Sequence, residues 1–316
     1  MIQIQALRAL AGQRNGRMIS TGVILSLCIM LAAGGCSIKK QTKVEVPQKI
    51  LHAKTASPDE LLRIINKYED LHSLVCNDIK LTLTTGKLES GVLDKYRKAP
   101  GYALLRRPDS IRLVVQEPII KTPQLDLLSE KDAFSIFIRS RNEFYRGRNS
   151  AEELVAEDLP DAEEIPIRPG HLFEALLPQG IPAKSPGMRI FWEQDEDSSA
   201  RYYAISIYRE GSGSRDIIIR RIWIERSSLT IARQRLFGEE GQILSDIVYS
   251  NMALRDGFYI PGEIYMDRLQ DGYSFLVELR TERCRVNTDL PDKAFILTPP
   301  EGSRIIHLIE NRRSDT

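Results

Sequence analysis

Apolar positions recur along this chain with two periods, and the change from one to the other organises it. Between residues 61 and 74 they fall at helical spacing: Leu61, Leu62, Ile65, Tyr68, Leu71 and Leu74 share one broad face. Ahead of them Ser57 can cap free N–H groups and Pro58 suits the first helical position. Asp59 and Glu60 suit the positive end of the helix dipole, and Glu60 completes a capping box. The spacing predicts an amphipathic helix of about five turns. From Asn77 onward the period becomes 2, in short runs rich in β-branched and aromatic residues separated by Gly, Pro, Asp or Ser.

These runs predict strands at 79–83, 102–105, 110–116, 125–128, 134–138 and 143–147, with Ile111, Leu113 and Val115 alternating against Arg112, Val114 and Gln116. Further runs follow at 188–193, 201–209, 216–225, 229–237, 243–249, 259–269 and 273–282, joined by turns such as Gly211-Ser212-Gly213-Ser214, Glu240-Gly241, Asp256-Gly257 and Asp271-Gly272. Between the two series, residues 150–187 hold an acidic stretch (Glu152, Glu153, Glu157, Asp158, Asp161, Glu163, Glu164) broken by Pro160, Pro166 and Pro169, which reads as a solvated loop. Inside it His171 to Leu177 predicts a short apolar helix closed by Pro178 and Gly180. The pattern is a meander of hairpins with no βαβ alternation, so the expected class is mainly β (α+β) and antiparallel. A sheet of ten or more strands has to curl, and its concave apolar face has to be covered, most naturally by the inserted helix.

The first 35 residues stand apart. Arg14 and Arg17 precede an apolar run from Val23 to Ala33, too short for a membrane span of about 20 residues. Leu31-Ala32-Ala33-Gly34-Gly35-Cys36 then reads as a lipobox, in which Cys36 would carry a diacylglyceryl thioether and become the new N-terminus. An ordinary cleavage near Gly35, leaving Cys36 as a free thiol, and a retained anchor are the alternatives. Residues 36–56 read as a polar tether, 57–300 as a single domain and 301–316 as a tail.

Composition removes several classes of function. The chain has 316 residues with 44 basic and 43 acidic side chains, and the first 35 contain Arg8, Arg14 and Arg17 but no acid. The remainder is close to neutral, which argues against a nucleic-acid partner. Outside the leader the cysteines are Cys36, Cys76 and Cys284. Cys76 and Cys284 can form one disulfide in an oxidising compartment or stay as two buried thiols. No nucleophile elbow, zinc-protease motif, phosphate loop or Cys-x-x-Cys is present. His52, His72, His171 and His307 lack metal-ligand spacing, and Asp195-Glu196-Asp197 reads as a hairpin tip rather than a calcium loop. No catalytic residue, metal or cofactor is expected. Arg139, Arg141, Arg146 and Arg148 cluster around one hairpin, where they can meet lipid phosphates or simply face water.

A cavity for an acyl chain needs apolar walls and few directed polar groups. The candidates to line one are Ile111, Leu113 and Val115, Ile136 and Ile138, and Phe173, Leu176 and Leu177 from the inserted helix. The same residues can equally fill a closed core.

The order of several short segments resembles the lipoprotein-localisation family, the LolA/LolB-like carriers and receptors. They are residues 60–74, Arg107-Pro108-Asp109-Ser110-Ile111-Arg112-Leu113, Phe144-Tyr145-Arg146-Gly147, Trp223-Ile224-Glu225, Gly241-Gln242-Ile243, Ile260-Pro261-Gly262-Glu263-Ile264 and Val286 to Phe295. The resemblance implies a strongly curved, unclosed β-barrel with helices over its concave face, enclosing a hydrophobic cavity that handles acylated lipoproteins or other lipids. With Cys36 it implies a membrane-fixed receptor, at the outer membrane and facing the periplasm, partnered by an acyl chain or a lipoprotein. The acidic insert and the greater length depart from the receptor's pattern, and no protruding apolar loop is legible. The alternative expectation is a non-catalytic interaction subunit of an envelope assembly.

Overall fold

Ser57 and Pro58 open the first helix as the sequence predicts. The Ser57 hydroxyl accepts from the Glu60 N–H at 3.3 Å, and α1 (Pro58–Asn66) buries Leu61 and Ile65. The helix is shorter than its apolar spacing suggests. A single 3₁₀ turn, Lys67–Asp70, follows it, and the strand β1 (Ser73–Thr85) begins three residues later, so Leu74 belongs to a strand. The physical reason is pairing: Leu74 and Cys76 lie opposite Leu105 and Ala103 of the next strand, and tertiary pairing overrides the end of the helical pattern. The structure, a computed structural model, describes residues 52–85, 94–151, 154–156, 168–181, 186–211 and 215–310. Cys36, the leader and most of the acidic stretch lie outside them.

The strands after β1 are β2 (Asp94–Arg106), β3 (Ser110–Gln116), β4 (Pro123–Glu130), β5 (Ala133–Ile138), β6 (Glu143–Arg148) and β7 (Leu154–Ala156). Helix α2 (Pro169–Leu176) intervenes. Then come β8 (Met188–Glu196), β9 (Arg201–Glu210), β10 (Asp216–Glu225), β11 (Thr230–Phe237), β12 (Ile243–Ser250), β13 (Ala253–Arg255), β14 (Phe258–Ile260), β15 (Glu263–Arg268), β16 (Tyr273–Leu279), β17 (Cys284–Val286) and β18 (Arg304–Glu310). Apart from the β13–β14 hairpin they form one sheet, in the order β7-β18-β6-β5-β4-β3-β2-β1-β16-β15-β12-β11-β10-β9-β8, with β17 also on β1. It is two meanders joined along the β1–β16 seam, and β7 and β8 are its edges, so the sheet does not close into a barrel.

Inward-facing residues run across the strands in rows. One row joins Leu83, Phe275, Met266, Ile247, Gln234, Ile222, Ile205 and Trp192. Another joins Cys76, Ala103, Leu113, Leu127, Ile136, Tyr145 and Ile306. Both rows, the inner faces of α1 and α2 included, belong to one continuous apolar cluster. Cys76 and Cys284 lie directly opposite one another on β1 and β17 and are bonded, S–S 2.02 Å, across 208 residues of chain.

Three boundaries differ from the sequence reading. The run at 259–269 is broken by Pro261-Gly262, where the Gly262 N–H turns to the Ser250 and Asn251 carbonyls, which separates β14 from β15. Residues 54–56, read as tether, are fixed to the body: the Lys54 N–H donates to the Arg226 carbonyl, the Arg226 Nε donates back to the Lys54 carbonyl at 3.1 Å, and the Ala56 N–H donates to the Tyr203 hydroxyl at 3.0 Å. Residues 304–310, read as tail, form β18. After β17 the chain crosses the outer face of the sheet, burying Phe295 under the Arg106 guanidinium at 4.4 Å. Arg112 holds this crossing through the Ala294 carbonyl at 3.0 Å while its fork grips Asp126. Arriving from outside, β18 pairs with β6 in parallel, the one departure from an antiparallel sheet, and buries Ile306.

Candidate functional site

Helix α2 lies on the inner face against β3, β4 and β15. Its Leu172, Phe173, Ala175 and Leu176 are buried, as are Leu177 and Pro178 just beyond it. A helix leaves its last carbonyls without intrahelical partners, and burial makes each such orphan costly. Here side chains of the sheet supply the donors. Gln234 Nε2 donates to the Glu174 carbonyl at 3.2 Å, the Tyr249 hydroxyl to the Ala175 carbonyl at 2.9 Å and Arg220 to the Gln179 carbonyl at 2.7 Å. Arg107 and Asn66 take the Pro178 and Ile181 carbonyls at 2.9 and 3.0 Å. Arg220, Gln234 and Tyr249 are bonded among themselves, 2.8 Å from Arg220 to Gln234 and 2.7 Å from Gln234 to Tyr249. A guanidinium at the negative end of the helix dipole is favourable in charge as well as in hydrogen bonding.

Burial pushes the Arg220 guanidinium down to about 10, still protonated at neutral pH, and drives the Tyr249 hydroxyl well up. The Glu174 carboxyl is raised for the same reason, against the pull of Arg268 and Arg220. Arg220 has no carboxylate hydrogen-bonded to it, and its Nε has no hydrogen-bond partner among the described residues. Its charge is met by the Gln179 carbonyl and the Gln234 amide oxygen, and at longer range by the Glu174 and Glu69 carboxylates.

The other end of α2 is held by a second polar group. His171 Nδ1 lies 2.6 Å from the Tyr273 hydroxyl and 4.0 Å from Asp271, and Asp271 accepts from Arg268. Burial first, then the positive charges of Arg268 and Arg168, holds the His171 imidazole well below its ordinary value near 6.5. The unfolded chain therefore takes up a proton that the folded one refuses. Stability from this residue is full above the unfolded value and is lost as pH falls through it, by up to about 1.4 kcal/mol per pH unit. Glu174 acts in the opposite sense: its raised carboxyl favours the folded state below the unfolded glutamate value and loses that advantage as pH rises. The parent chain is expected to lose more stability between pH 7 and pH 5.5 than a His171→Gln variant, measured by urea denaturation. Parallel profiles would refute the assignment.

The eight apolar candidates lie in this layer. Leu113, Leu127 and Ile136 are cross-strand neighbours, as are Val115, Leu125 and Ile138, while Phe173, Leu176 and Leu177 press on the same cluster from α2. Seven of them are buried and Ile138 packs at the margin. The arrangement is a packed apolar layer between helix and sheet. Arg139, Arg141, Arg146 and Arg148 are spread over the β5–β6 turn and strand: Arg139 donates to the Pro123 carbonyl at 2.9 Å, Arg148 pairs with Asp132 at 2.7 Å and Arg146 lies over Phe144. No group of three potential metal ligands occurs among the described residues, and no described helix is long and apolar enough to cross a membrane.

The structure adds an apolar loop that the sequence reading did not find. At the β3–β4 turn Ile119 and Ile120 are 86% and 72% exposed. The turn is ordered from within, since the Glu117 carboxylate accepts from the backbone N–H groups of both, at 2.8 and 2.6 Å. Arg139, bonded to Pro123 at the start of β4, flanks it.

No family model matches the sequence, and comparison with curated proteins finds no match. Solved structures similar in fold exist. One is a LolA superfamily protein from Nitrosomonas europaea, 14% identical over 77% of this chain and 99% of that one, TM-score 0.46. A DUF1329 family protein from Desulfovibrio piger is 9% identical over 75% and 94%, TM-score 0.48. A putative outer membrane lipoprotein-sorting protein domain from Vibrio parahaemolyticus is 12% identical over 74% and 95%, TM-score 0.45. The likeness is one of fold, at low identity.

The polar anchors of α2 escaped the sequence reading, although their signal is present. In Arg220-x-Ile222-x-Ile224, Ser245-x-Ile247-x-Tyr249, Ile264-x-Met266-x-Arg268 and Tyr273-x-Phe275-x-Val277, a polar group stands in phase with the inward apolar positions. A polar residue on the buried face of a strand needs a partner: Arg220, Tyr249 and Tyr273 find one on the inserted helix or the residues just after it, while Arg268 and Ser245 bond each other.

Proposed function

We propose that this chain is a non-catalytic, membrane-anchored lipoprotein of the bacterial envelope that takes an acyl chain, free or carried by a lipoprotein, between α2 and the sheet. Cys36 would carry the anchor, at the outer membrane and facing the periplasm. The observation that carries the reading is the asymmetry of the contacts under α2. The hydrogen bonds to its C-terminal carbonyls come from β10, β11, β12, the β2–β3 turn and α1. Towards β3, β4 and β5, Phe173, Leu176 and Leu177 share one apolar cluster with Ile111, Leu113, Val115, Leu127 and Ile136, and on that side the helix is tied, among the described residues, only at its start, where the Gly170 N–H donates to Asn149 Oδ1 at 3.3 Å. An alkyl chain entering beside Phe173, Leu176 and Leu177 exchanges one apolar surface for another, while the hydrogen bonds at the two ends of the helix keep it in place. The exposed Ile119-Ile120 turn, with Arg139 beside it, supports contact with a bilayer: aliphatic side chains enter the acyl boundary and a guanidinium stays with the phosphates. Lipoprotein sorting, the role for which the Vibrio domain is named, is the specific form this function would take.

Organic extraction of the purified, untagged chain followed by mass spectrometry is expected to recover lipid, and the emptied protein is expected to take up a fluorescent fatty acid. An Ile119→Asp/Ile120→Asp variant should retain uptake and lose transfer to anionic vesicles. Recovery of no lipid, together with no uptake, would sink the proposal.

A further inference from the structure

Strand β8 ends the sheet, and its outer side is unpaired among the described residues. Long exposed edges template further pairing, and proteins commonly blunt them with bulges, prolines or short length. This edge has none of these: it is nine residues long, free of proline, and its register with β9 runs without a shift from Met188↔Arg209 to Glu196↔Arg201. The direction of its free groups can be worked out. The Glu210 N–H bonds the Gly187 carbonyl and the Asp197 N–H bonds the Ala200 carbonyl, one at each end of the ladder. Odd-numbered residues therefore bond to β9, and the N–H and C=O groups of Met188, Ile190, Trp192 and Gln194 point outward.

We infer that β8 pairs antiparallel with β8 of a second copy of this chain, across a two-fold axis at Phe191. The argument is self-complementarity. In that register the outward-pointing backbone groups of Ile190 meet those of the second copy's Trp192, and Met188 meets Gln194, so the hydrogen-bonding parity is satisfied. On the inner side the half-buried Ile190 and Trp192 cover each other, extending the apolar rows of the sheet into the second copy. On the outer side Phe191, 53% exposed and edge-on to Tyr208 at 5.3 Å, meets its own symmetry mate. Arg189 then stands opposite Glu193. Within one chain Arg189 already pairs with Asp216 at 2.9 Å and Glu193 with Arg221, so the junction continues a line of alternating charge, Asp216, Arg189, Glu193, Arg221, from one copy to the next. Moving the axis one residue to Trp192 keeps the backbone parity but sets Phe191 against Glu193. The chemistry therefore selects the axis at Phe191.

Light scattering of the detergent-solubilised full chain is expected to give a dimer. Gln194→Pro removes an N–H that faces the free edge and leaves the bonds to β9 intact, so it should yield a folded monomer with unchanged circular dichroism. Phe191→Cys should form a disulfide-linked dimer on mild oxidation, because directly opposed residues of this kind approach to about 4.5 Å between Cα atoms. Trp192→Cys should not cross-link above the parent. A monomer at every concentration, a dimer that survives Gln194→Pro, or cross-linking of Trp192→Cys in place of Phe191→Cys would each overturn the inference.

Discussion

A Cys76→Ala/Cys284→Ala chain is expected to be less stable than the parent by up to about 5 kcal/mol, because the bond it lacks closes a loop of 208 residues and a loop of that length restricts the unfolded chain strongly. Against a typical total of about 5–15 kcal/mol this is a large share. The loss should be felt first at one place. Strand β17 has only three residues on β1, and the segment that follows it crosses the outer face to deliver β18. With the bond gone, β17, the crossing and β18 are held by short ladders, by the bonds of Asn287 and Thr288 to residues 70–73, and by Arg106 and Arg112, so amide exchange should rise at 284–310 well before it rises in β3 or β10. Urea denaturation and hydrogen exchange of the variant measure both effects. Equal stability, or loss spread evenly over the sheet, would show that the bond does not govern this end of the chain.

The second large effect is expected at Arg220. An Arg220→Met change keeps most of the volume but removes the donors to the Gln179 carbonyl, which is partly buried, and to the buried Gln234 amide oxygen, leaving two acceptors short of a partner, at about 1–3 kcal/mol for a fully buried one. A total loss of about 2–5 kcal/mol should follow, with residues 168–181 becoming sensitive to protease before the sheet unfolds. Arg220→Lys should fall between, since one ammonium cannot reproduce the guanidinium fork. Replacing a buried charge by an apolar side chain sometimes stabilises a protein. An Arg220→Met chain as stable as the parent would mean that the carbonyl anchors contribute nothing net and that apolar packing alone holds α2.

Where period 2 was sustained, the strands were legible in the sequence: 110–116 and 216–225 coincide with β3 and β10 residue for residue. Alternation also assigned Ile111, Leu113 and Val115 to the inner face, and apolar density found α2. It misled at Leu71 and Leu74, which fit a helical face yet serve a turn and a strand, because spacing carries no information about a pairing partner far along the chain. The polar anchors were missed for the opposite reason. Arg220 and Arg268 look like ordinary surface residues until the inward phase of their strands is counted; Arg220 then binds the segment after the inserted helix, and Arg268 binds Ser245 and Asp271 beneath it. Ile119 and Ile120 fall between the strands read at 110–116 and 125–128, and no protruding apolar loop was legible there, since exposure is not a property of composition. The final strand was lost because its parallel partner, β6, is reached only after the chain has crossed a whole face of the sheet.

The β1–β16 seam also sets an order of events during synthesis. A chain that emerges from the N-terminus can form the β1–β6 meander early, but the other edge of β1 must wait for β16 and β17, and the edge of β6 must wait for β18, the last described strand to emerge. Until then two hydrogen-bonding edges and the inner apolar face stand open to other chains. Contacts of such high sequence separation are slow to form and vulnerable while unmade. The demand for a holding chaperone should therefore scale with the time between emergence of β6 and release of the C-terminus, and truncation before residue 304 should convert a folding chain into an aggregating one.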